Sequence, residues 1–425
     1  MKEFDTILKE NDIVAKNDYW AYPNNMKLYQ YSSKKVGIKI HLSATVLNYK
    51  VIVKRFLKWN IKYKVGFKVS KSLKVLGELN SGVLGYSQTG KFLTLYPIQN
   101  SKYINKILIS LYKMYNDINS VDIPSDTPFL NSSVVYIRYG EFKPNHKFYT
   151  DNRDGYIPQN IKRKITALNF TSYFTIPKHF KILNMIRKSS KGGVFIAWDE
   201  NINKLVLLKE ATKNAQMTLS GRDSVLSLYE EINLLKGMNR EGYSFIPKYI
   251  NAFWVNNSLF LEESYIPGKT LDEIIRNDLK ERKQVMSNFK NILLIIHKLH
   301  KFDDYIIHDI SPANIIFYNK RFYLIDFESF SKSEVKVSTL YGTRGFFDND
   351  YDMNDQTIDY FALARVYYFL RNAKEYRQLS EKRQSFQLTD SEIQKNLWFK
   401  KCMNHSYKND EDWLVDYEKY VGIKQ

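Results

Sequence analysis

His308-Asp309-Ile310-Ser311-Pro312-Ala313-Asn314-Ile315-Ile316-Phe317, followed by Ile325-Asp326-Phe327, is the stretch whose reading decides the fold of this chain. In phosphoryl transfer one carboxylate orients the attacking hydroxyl and can take its proton. An Asn and a second Asp hold the metal ions that neutralise the triphosphate. Asp309, Asn314 and Asp326 have the residue types and the spacing for those three jobs. Their surroundings agree. Apolar Tyr305-Ile306-Ile307 leads in, Ile315-Ile316-Phe317 follows, and Phe322 to Ile325 reads as a strand that delivers Asp326. Spacing alone is a weak signal, because loops are rich in Asp and Asn. The two flanking strands make it specific.

The chain has 425 residues, enough for two or three domains, and its 44% hydrophobic content is that of a folded protein. No apolar run approaches the roughly 18 residues needed to span a bilayer. The longest, Ile292 to Ile296, stops at His297-Lys298, and Met1 to Asp18 lacks the apolar stretch of a secretion signal. A single Cys402 excludes internal disulfides and multi-cysteine zinc sites. A soluble, cytoplasmic protein is expected. The net charge of +19 is unevenly spread: residues 1–180 hold 28 Lys and Arg against 12 Asp and Glu, and the other 245 hold 36 against 33. A general lysine bias would not stop at mid-chain. So cationic a first half attracts nucleic acid, anionic lipid or phosphorylated substrate, and charge alone does not choose among them.

Repeats and low-complexity tracts are absent. Turn-forming Asp151-Asn152-Arg153-Asp154-Gly155 and Pro158-Gln159-Asn160, with Pro177 beyond, place a boundary between Thr150 and Lys181. Before it, Val36 to Ala44, Tyr63 to Ser70, Phe92 to Pro97 and Val134 to Tyr139 read as strands; Thr45 to Trp59 and Lys102 to Asn116 read as helices. After it come hairpin strands over Phe180 to Glu210 and an amphipathic helix over Ser224 to Gly237. Helices dominate from Leu271 onward. Strands first, helices after and the chemistry between is the pattern of a two-lobed kinase.

The other parts of such an enzyme follow in order. Gly192-Gly193, in the first hairpin turn, can let backbone N–H groups approach phosphate oxygens, although most Gly-Gly hairpins are only turns. Lys209 closes the apolar strand Leu205-Val206-Leu207-Leu208, and a buried amine there needs a triphosphate and a helix carboxylate as partners. Glu231 is the candidate carboxylate, with Glu230 next in line; the plainer alternative for Lys209 is a solvated strand end. Gly342-Thr343-Arg344-Gly345-Phe346-Phe347 resembles the end of an activation segment, and Asp359 to Ala364 resembles the start of the helix behind the catalytic loop. From about Phe180 onward the chain resembles the protein-kinase superfamily. It departs from that pattern at His308 (usually Arg), Ser311 (usually Lys) and Glu328 (usually Gly), and none of these removes the base, the metal ligands or the phosphate lysine.

In the basic half, Ile38-Lys39-Ile40-His41-Leu42-Ser43 puts Lys39, His41 and Ser43 on one strand face. Lys64-Val65-Gly66-Phe67-Lys68-Val69 repeats the arrangement, with Lys64 read as solvated surface. Lys91 opens a strand and Arg138 lies mid-strand. Lysines on strands are ordinarily solvated edge residues. Taken with Lys39 to Thr45, Phe67-Lys68-Val69, Leu79-Asn80-Ser81, Ser87 to Pro97, Tyr136 to Phe142, Gly192-Gly193-Val194, Leu208 to Ala211 and His308 to Ile316, however, the chain resembles class III and class IV lanthipeptide synthetases. In these a lyase domain precedes a kinase domain. The lyase part is in turn similar to bacterial phosphothreonine lyases, which carry a Lys-x-His pair like Lys39-Ile40-His41.

That resemblance implies an α+β multidomain chain: a phosphothreonine-lyase-like α+β domain over residues 1–175, then a bilobal protein-kinase-like domain over 176–425, with lobes at about 180–264 and 265–425. It implies Lys39 as the base removing the Cα proton, His41 as the acid for the leaving phosphate, and Lys68, Lys91 and Arg138 as phosphate ligands. In the kinase half it implies Asp309 as base, Asn314 and Asp326 as metal ligands, and Gly192, Gly193, Lys209 and Glu231 as the nucleotide site. ATP or GTP with Mg2+ would be the cofactors and a ribosomal leader-core precursor peptide the partner, without nucleic acid or a membrane span. The physics agrees: elimination needs a neutral amine and surrounding positive charge, and clustered cations lower one another's pKa. Family members end in a cyclase domain, for which the 65 or so residues after Asp359 are too few. Either that domain is missing from this chain, or cyclisation is done by a separate protein or not at all. Two rivals stand beside this: a Ser/Thr peptide kinase with a basic docking domain and no lyase activity, and a non-catalytic nucleic-acid binder, for which Trp59 and Tyr63 around Lys62 would be the stacking residues.

Overall fold

A computed structural model describes residues 2–142, 157–165, 176–218, 221–301, 304–332, 342–348, 351–352, 354–381, 388–389, 391 and 395–421. The turn expected at 151–155 lies outside them. The chain is a mixed α and β protein with several sheets. It divides into two compact units, Met1–Leu228 with Ala252–Glu262 and Tyr229–Asn251 with Glu263–Gln425.

The first unit is built on a seven-stranded sheet of order β1-β2-β4-β5-β3-β7-β6. Its strands are β1 (Ile13–Ala15), β2 (Trp20–Pro23), β3 (Val36–Leu42), β4 (Gly66–Ser70), β5 (Leu93–Tyr96), β6 (Thr127–Pro128) and β7 (Val135–Glu141). Every neighbouring pair is antiparallel. Because side chains alternate faces along a strand, Ile38, Ile40, Leu42, Phe67, Val69, Leu93, Leu95 and Ile137 all point one way. They pack against helices α1 (Lys2–Glu10), α2 (Tyr49–Tyr63) and α4 (Ser101–Tyr115) through Phe4, Ile52, Phe56, Ile107 and Leu111. Each such buried side chain contributes about 1.5–3 kcal/mol. Helix α3 (Leu73–Ser81), capped by the Ser72 hydroxyl, joins Trp20 in a separate small cluster through Val75 and Leu79.

The strands and helices read from the sequence are present with shifted ends, the strand expected from Tyr63 starting at Gly66, while β1, β2, β6, α1 and α3 were not among them. The helix expected from Thr45 to Trp59 starts at Tyr49, because Thr45 and Asn48 are tied in a turn: Thr45 N–H donates to Asn48 Oδ1 at 2.7 Å and Asn48 N–H to Thr45 Oγ1 at 3.1 Å. It runs on to Tyr63 and ends at Lys64, whose φ of 51° closes the helix while Asn60 bonds both the N–H and the carbonyl of Val65. Lys64 is thus a helix cap and not a strand residue beside Lys68. Trp59 and Tyr63 stack on each other and bond Ser110 on α4, so both are used within the fold.

A second, five-stranded sheet has the order β11-β12-β10-β9-β8, from β8 (Phe180–Lys188), β9 (Gly193–Asp199), β10 (Lys204–Thr212), β11 (Tyr249–Val255) and β12 (Ser258–Ser264). After the one-turn helix α5 (Gln159–Lys162), helix α6 (Ser224–Arg240) begins at Asp223, which accepts the Leu226 N–H at 2.9 Å. In the second unit, β13 (Lys269–Thr270), β15 (Ile315–Tyr318) and β16 (Arg321–Leu324) form a small sheet, and β14 (Tyr305–Ile306) pairs with β17 (Ser331–Lys332). Its helices are α7 (Leu271–Asn277), started by a Thr270–Glu273 capping box, α8 (Leu279–Ser287), α9 (Phe289–His300), α10 (Thr357–Arg371), α11 (Ala373–Glu381), α12 (Leu397–Met403) and α13 (Asp410–Tyr420). Helix α10 is buried along nearly its whole length.

Candidate active sites

Strand register lays out the cationic site of the first unit. Lys68 on β4 stands opposite Thr94 on β5, Thr94 opposite His41 on β3, and His41 opposite Tyr136 on β7. One pleat along, Lys39 faces Arg138. Directly opposed residues have Cβ atoms about 5 Å apart, so Lys39, His41, Lys68 and Arg138 share one sheet face within a few side-chain lengths. Lys91 enters from the segment before β5, next to Gly90, whose φ is +74° and where a Cβ would lie 2.6 Å from the Asp122 carbonyl. His41, Lys91 and Arg138 are all buried.

Sequence reasoning missed the residue that organises this cluster. Asp126 is buried, with Oδ1 3.0 Å from Lys91 Nζ and accepting the Ser125 hydroxyl at 2.9 Å, while Oδ2 meets His41 Nδ1. Burial opposes its charge, but His41 and Lys91 outweigh burial and hold the carboxyl well below the usual carboxylate range. Burial lowers His41 to about 3; Asp126 opposes this, and Lys91 and Lys39 add to it. With Asp126 ionised and His41 neutral, the ring hydrogen lies on Nδ1 and Nε2 is the open nitrogen. Lys91 is lowered to about 8 by burial and Arg138, against the pull of Asp126. Lys68, whose Nζ sits 3.7 Å from the centre of the Trp20 ring, is lowered to about 7 by burial and by Lys39 and Lys91. It lies lower than Lys91 and so closer to neutrality at physiological pH. The one sequence signal for Asp126 was a pair of acids in the short stretch Val121 to Thr127 of a strongly basic domain; the other, Asp122, accepts the Tyr136 hydroxyl at 2.7 Å.

The glycine turn also belongs to the first unit. Gly192 has φ +147°, and a Cβ there would lie 2.2 Å from the Glu210 carbonyl, so only glycine fits. Gly193 N–H donates to Glu210 Oε2 at 2.9 Å, and Ser258 donates to Oε1 at 2.8 Å. That N–H is therefore satisfied within the protein. Ser190 Oγ donates to the Ser81 carbonyl at 3.0 Å, and Gln216 Nε2 donates to both, anchoring the turn beside α3. Lys209 lies on β10 opposite Val194.

In the second unit, Asp309 Oδ1 accepts the Thr343 N–H at 2.8 Å and Oδ2 accepts Asn314 Nδ2 at 3.0 Å. Asn314 Nδ2 also donates to the Asp309 carbonyl at 3.0 Å, which turns its own Oδ1 away from Asp309. Ile325 N–H donates to the Asn314 carbonyl at 3.0 Å, bringing Asp326 alongside with φ +69°. Among the described residues no group of three His, Cys, Asp or Glu forms a metal cage. A carboxylate and an amide oxygen are nonetheless the hard-oxygen donor types that suit Mg2+, which keeps waters and substrate phosphates as its other ligands. Buried Glu231 accepts the Phe327 N–H at 3.3 Å.

The loop that carries Asp309 is held from behind by Asp359, which accepts the N–H groups of Ile307 at 2.8 Å and His308 at 2.9 Å. His300 bridges Asp359 at 3.0 Å and Asp410 at 2.8 Å, and Asp410 also bonds His297 and Tyr360. Burial works against an imidazolium there, but the two carboxylates raise His300 to about 9. His308, with φ +65°, directs Nε2 to the Ser331 hydroxyl at 2.6 Å.

Residues 7–190, the stretch containing the whole cationic face, match the family model described as RamC, N-terminal domain. The chain is 23% identical over 261 residues to a probable SapB synthase of Streptomyces coelicolor, covering 56% of this chain and 27% of that protein. It is 29% identical over 182 residues to serine/threonine-protein kinase D of Synechocystis sp., covering 39% of this chain and 35% of that one. The chain thus spans about a third or less of the curated relatives it matches, and combines likeness to a RamC N-terminal domain with likeness to a serine/threonine kinase.

Proposed function

We propose that this chain is a bifunctional peptide dehydratase of the lanthipeptide synthetase type: residues 176–425 phosphorylate Ser or Thr of a ribosomal precursor peptide, and residues 1–175 eliminate the phosphate. The observation that carries it is the shared sheet face of Lys39, His41, Lys68 and Arg138, with Lys91 and Asp126 built in behind. On that face a neutral amine takes the Cα proton, and the released electron pair forms the Cα=Cβ bond. The Cβ–O bond breaks, phosphate leaves with a proton from His41, and dehydroalanine or dehydrobutyrine remains. Arg138, Lys39 and Lys91 stabilise the enolate-like and phosphate anions. A dianionic phosphate beside His41, added to Asp126, favours the imidazolium that must donate. Lys39 is the base by resemblance; Lys68, lowered to about 7 on the same face, is the second candidate, with Lys39 then holding the enolate.

For the other half, Asp309 orients the substrate hydroxyl, and by resemblance to kinases Lys209 and Glu231 are nucleotide-site residues for ATP or GTP. Asn314 and Asp326 would hold Mg2+, which would supply charge neutralisation at the transferring phosphoryl group. The likeness to a serine/threonine-protein kinase supports this. The test is mass spectrometry of a Ser-rich precursor peptide incubated with the protein, Mg2+ and ATP or GTP. Loss of water is expected, while Lys39→Met and Lys68→Met leave phosphopeptide accumulating. A kinase with a mere docking domain gives phosphate addition and never water loss.

A further inference from the structure

We propose that Thr94 is a further substrate ligand of the cationic face, its hydroxyl donating a hydrogen bond to a phosphate oxygen of the phosphorylated residue; this rests on the elimination reading above. Thr94 stands in the row between Lys68 and His41, directly opposed to each. Its neighbours on the strand, Leu93 and Leu95, point into the core, so its side chain lies on the polar face. It is 2% exposed, and its Oγ1 has no hydrogen-bond partner among the described residues.

A buried hydroxyl without a partner is a liability that valine, of the same shape and at home in strands, would remove. The groups around it explain what it lacks. Lys68 lies over Trp20, and both His41 Nδ1 and Lys91 are engaged by Asp126. The face is rich in cations and N–H donors; of its carboxylates Asp126 already holds three partners and Asp122 holds the Tyr136 hydroxyl. A phosphate monoester dianion supplies acceptor oxygens at that position. A hydroxyl is also the donor that adds no charge between the amine that must be neutral and the imidazole that must be charged, so it holds the phosphate without disturbing either.

The test uses the full chain with Thr94→Val, Thr94→Ser and, should the valine variant not fold, Thr94→Ala. Inorganic phosphate binding by calorimetry and elimination from a synthetic phosphoserine peptide are measured together. Thr94→Val is expected to bind phosphate about tenfold more weakly and to raise KM by a similar factor with kcat little changed. It should melt no lower than the parent, and Thr94→Ser should restore both constants. Unchanged phosphate affinity in Thr94→Val, or a Thr94→Ser variant as defective as Thr94→Val, overturns the proposal. Weakened phosphate binding in a protein whose parent never eliminates phosphate would instead leave Thr94 a phosphate ligand and reject the elimination reading.

Discussion

Lys68 concentrates the consequences of crowding cations on one sheet face. Its folded pKa of about 7 lies far below that of a lysine in an unfolded chain, about 10.4. If it is the base, elimination from a synthetic phosphopeptide rises with pH through about 7 and levels off above, and Lys68→Arg abolishes that limb. Linkage adds a second readout. Between pH 7 and about 10 the unfolded chain holds a proton on this lysine that the folded one lacks, so its contribution to stability climbs with pH across that window. Lys68→Met should make the pH slope of stability less positive in chemical denaturation curves; a slope unchanged by the substitution would contradict the assignment. Asp126 is the complementary case. Asp126→Asn keeps the shape but loses the charge that holds Lys91 and fixes the His41 tautomer, so elimination should fall by about 10²–10³-fold while phosphorylation of plain peptide continues. Asp126→Ala leaves Lys91 buried and unpaired, at a cost of about 3–5 kcal/mol.

At the scale of elements, α9, α10 and α13 are joined by His300, charged between Asp359 and Asp410. Its raised pKa stabilises the fold fully below about 6.5 and is lost as pH climbs through about 9, on the order of 3 kcal/mol in all. The stability gap between the parent and His300→Gln should therefore be widest below about pH 6.5 and close as pH climbs to about 9, measured by denaturing both proteins at each pH. The same elements show what was legible in the chain. Period-two alternation located β3, β4, β5 and β7 and put Lys39 and His41 on one strand face, because that pattern depends only on local geometry; that Lys68 and Arg138 join them came only from the family resemblance, since it depends on the register between strands. The extent of α2 was not legible, since it depends on Asn48 and Asn60 bonding particular backbone groups. Asp126 and His300 were not legible either. Asp126 lies 85 residues from His41 and His300 lies 110 from Asp410, and such pairings follow from tertiary packing that no short spacing encodes. Gly192 was legible as a turn, but its close approach to the Glu210 backbone was not.

For the whole molecule, the proposed function predicts two separable activities. The excess of positive charge sits in the residues that carry the cationic face, and the Asp309–Asn314–Asp326 set lies in the second unit. On that proposal phosphorylation comes first, because the cationic face has no work on an unmodified hydroxyl: hydroxide is a poor leaving group, and nothing on a plain Ser matches a pocket of Lys and Arg. Asp309→Asn removes the group that accepts the hydroxyl proton, while asparagine can still accept the Thr343 N–H at 2.8 Å and leave the loop in place. Phosphoryl transfer should fall by about 10²–10⁴-fold, and with it dehydration of plain peptide. Elimination from a synthetic phosphopeptide should proceed at the parent rate, with no nucleotide or magnesium required. Followed by mass spectrometry on both substrates, a variant that loses the second reaction along with the first would mean that one half does not work without the other's chemistry, and that the basic domain is not an independent lyase.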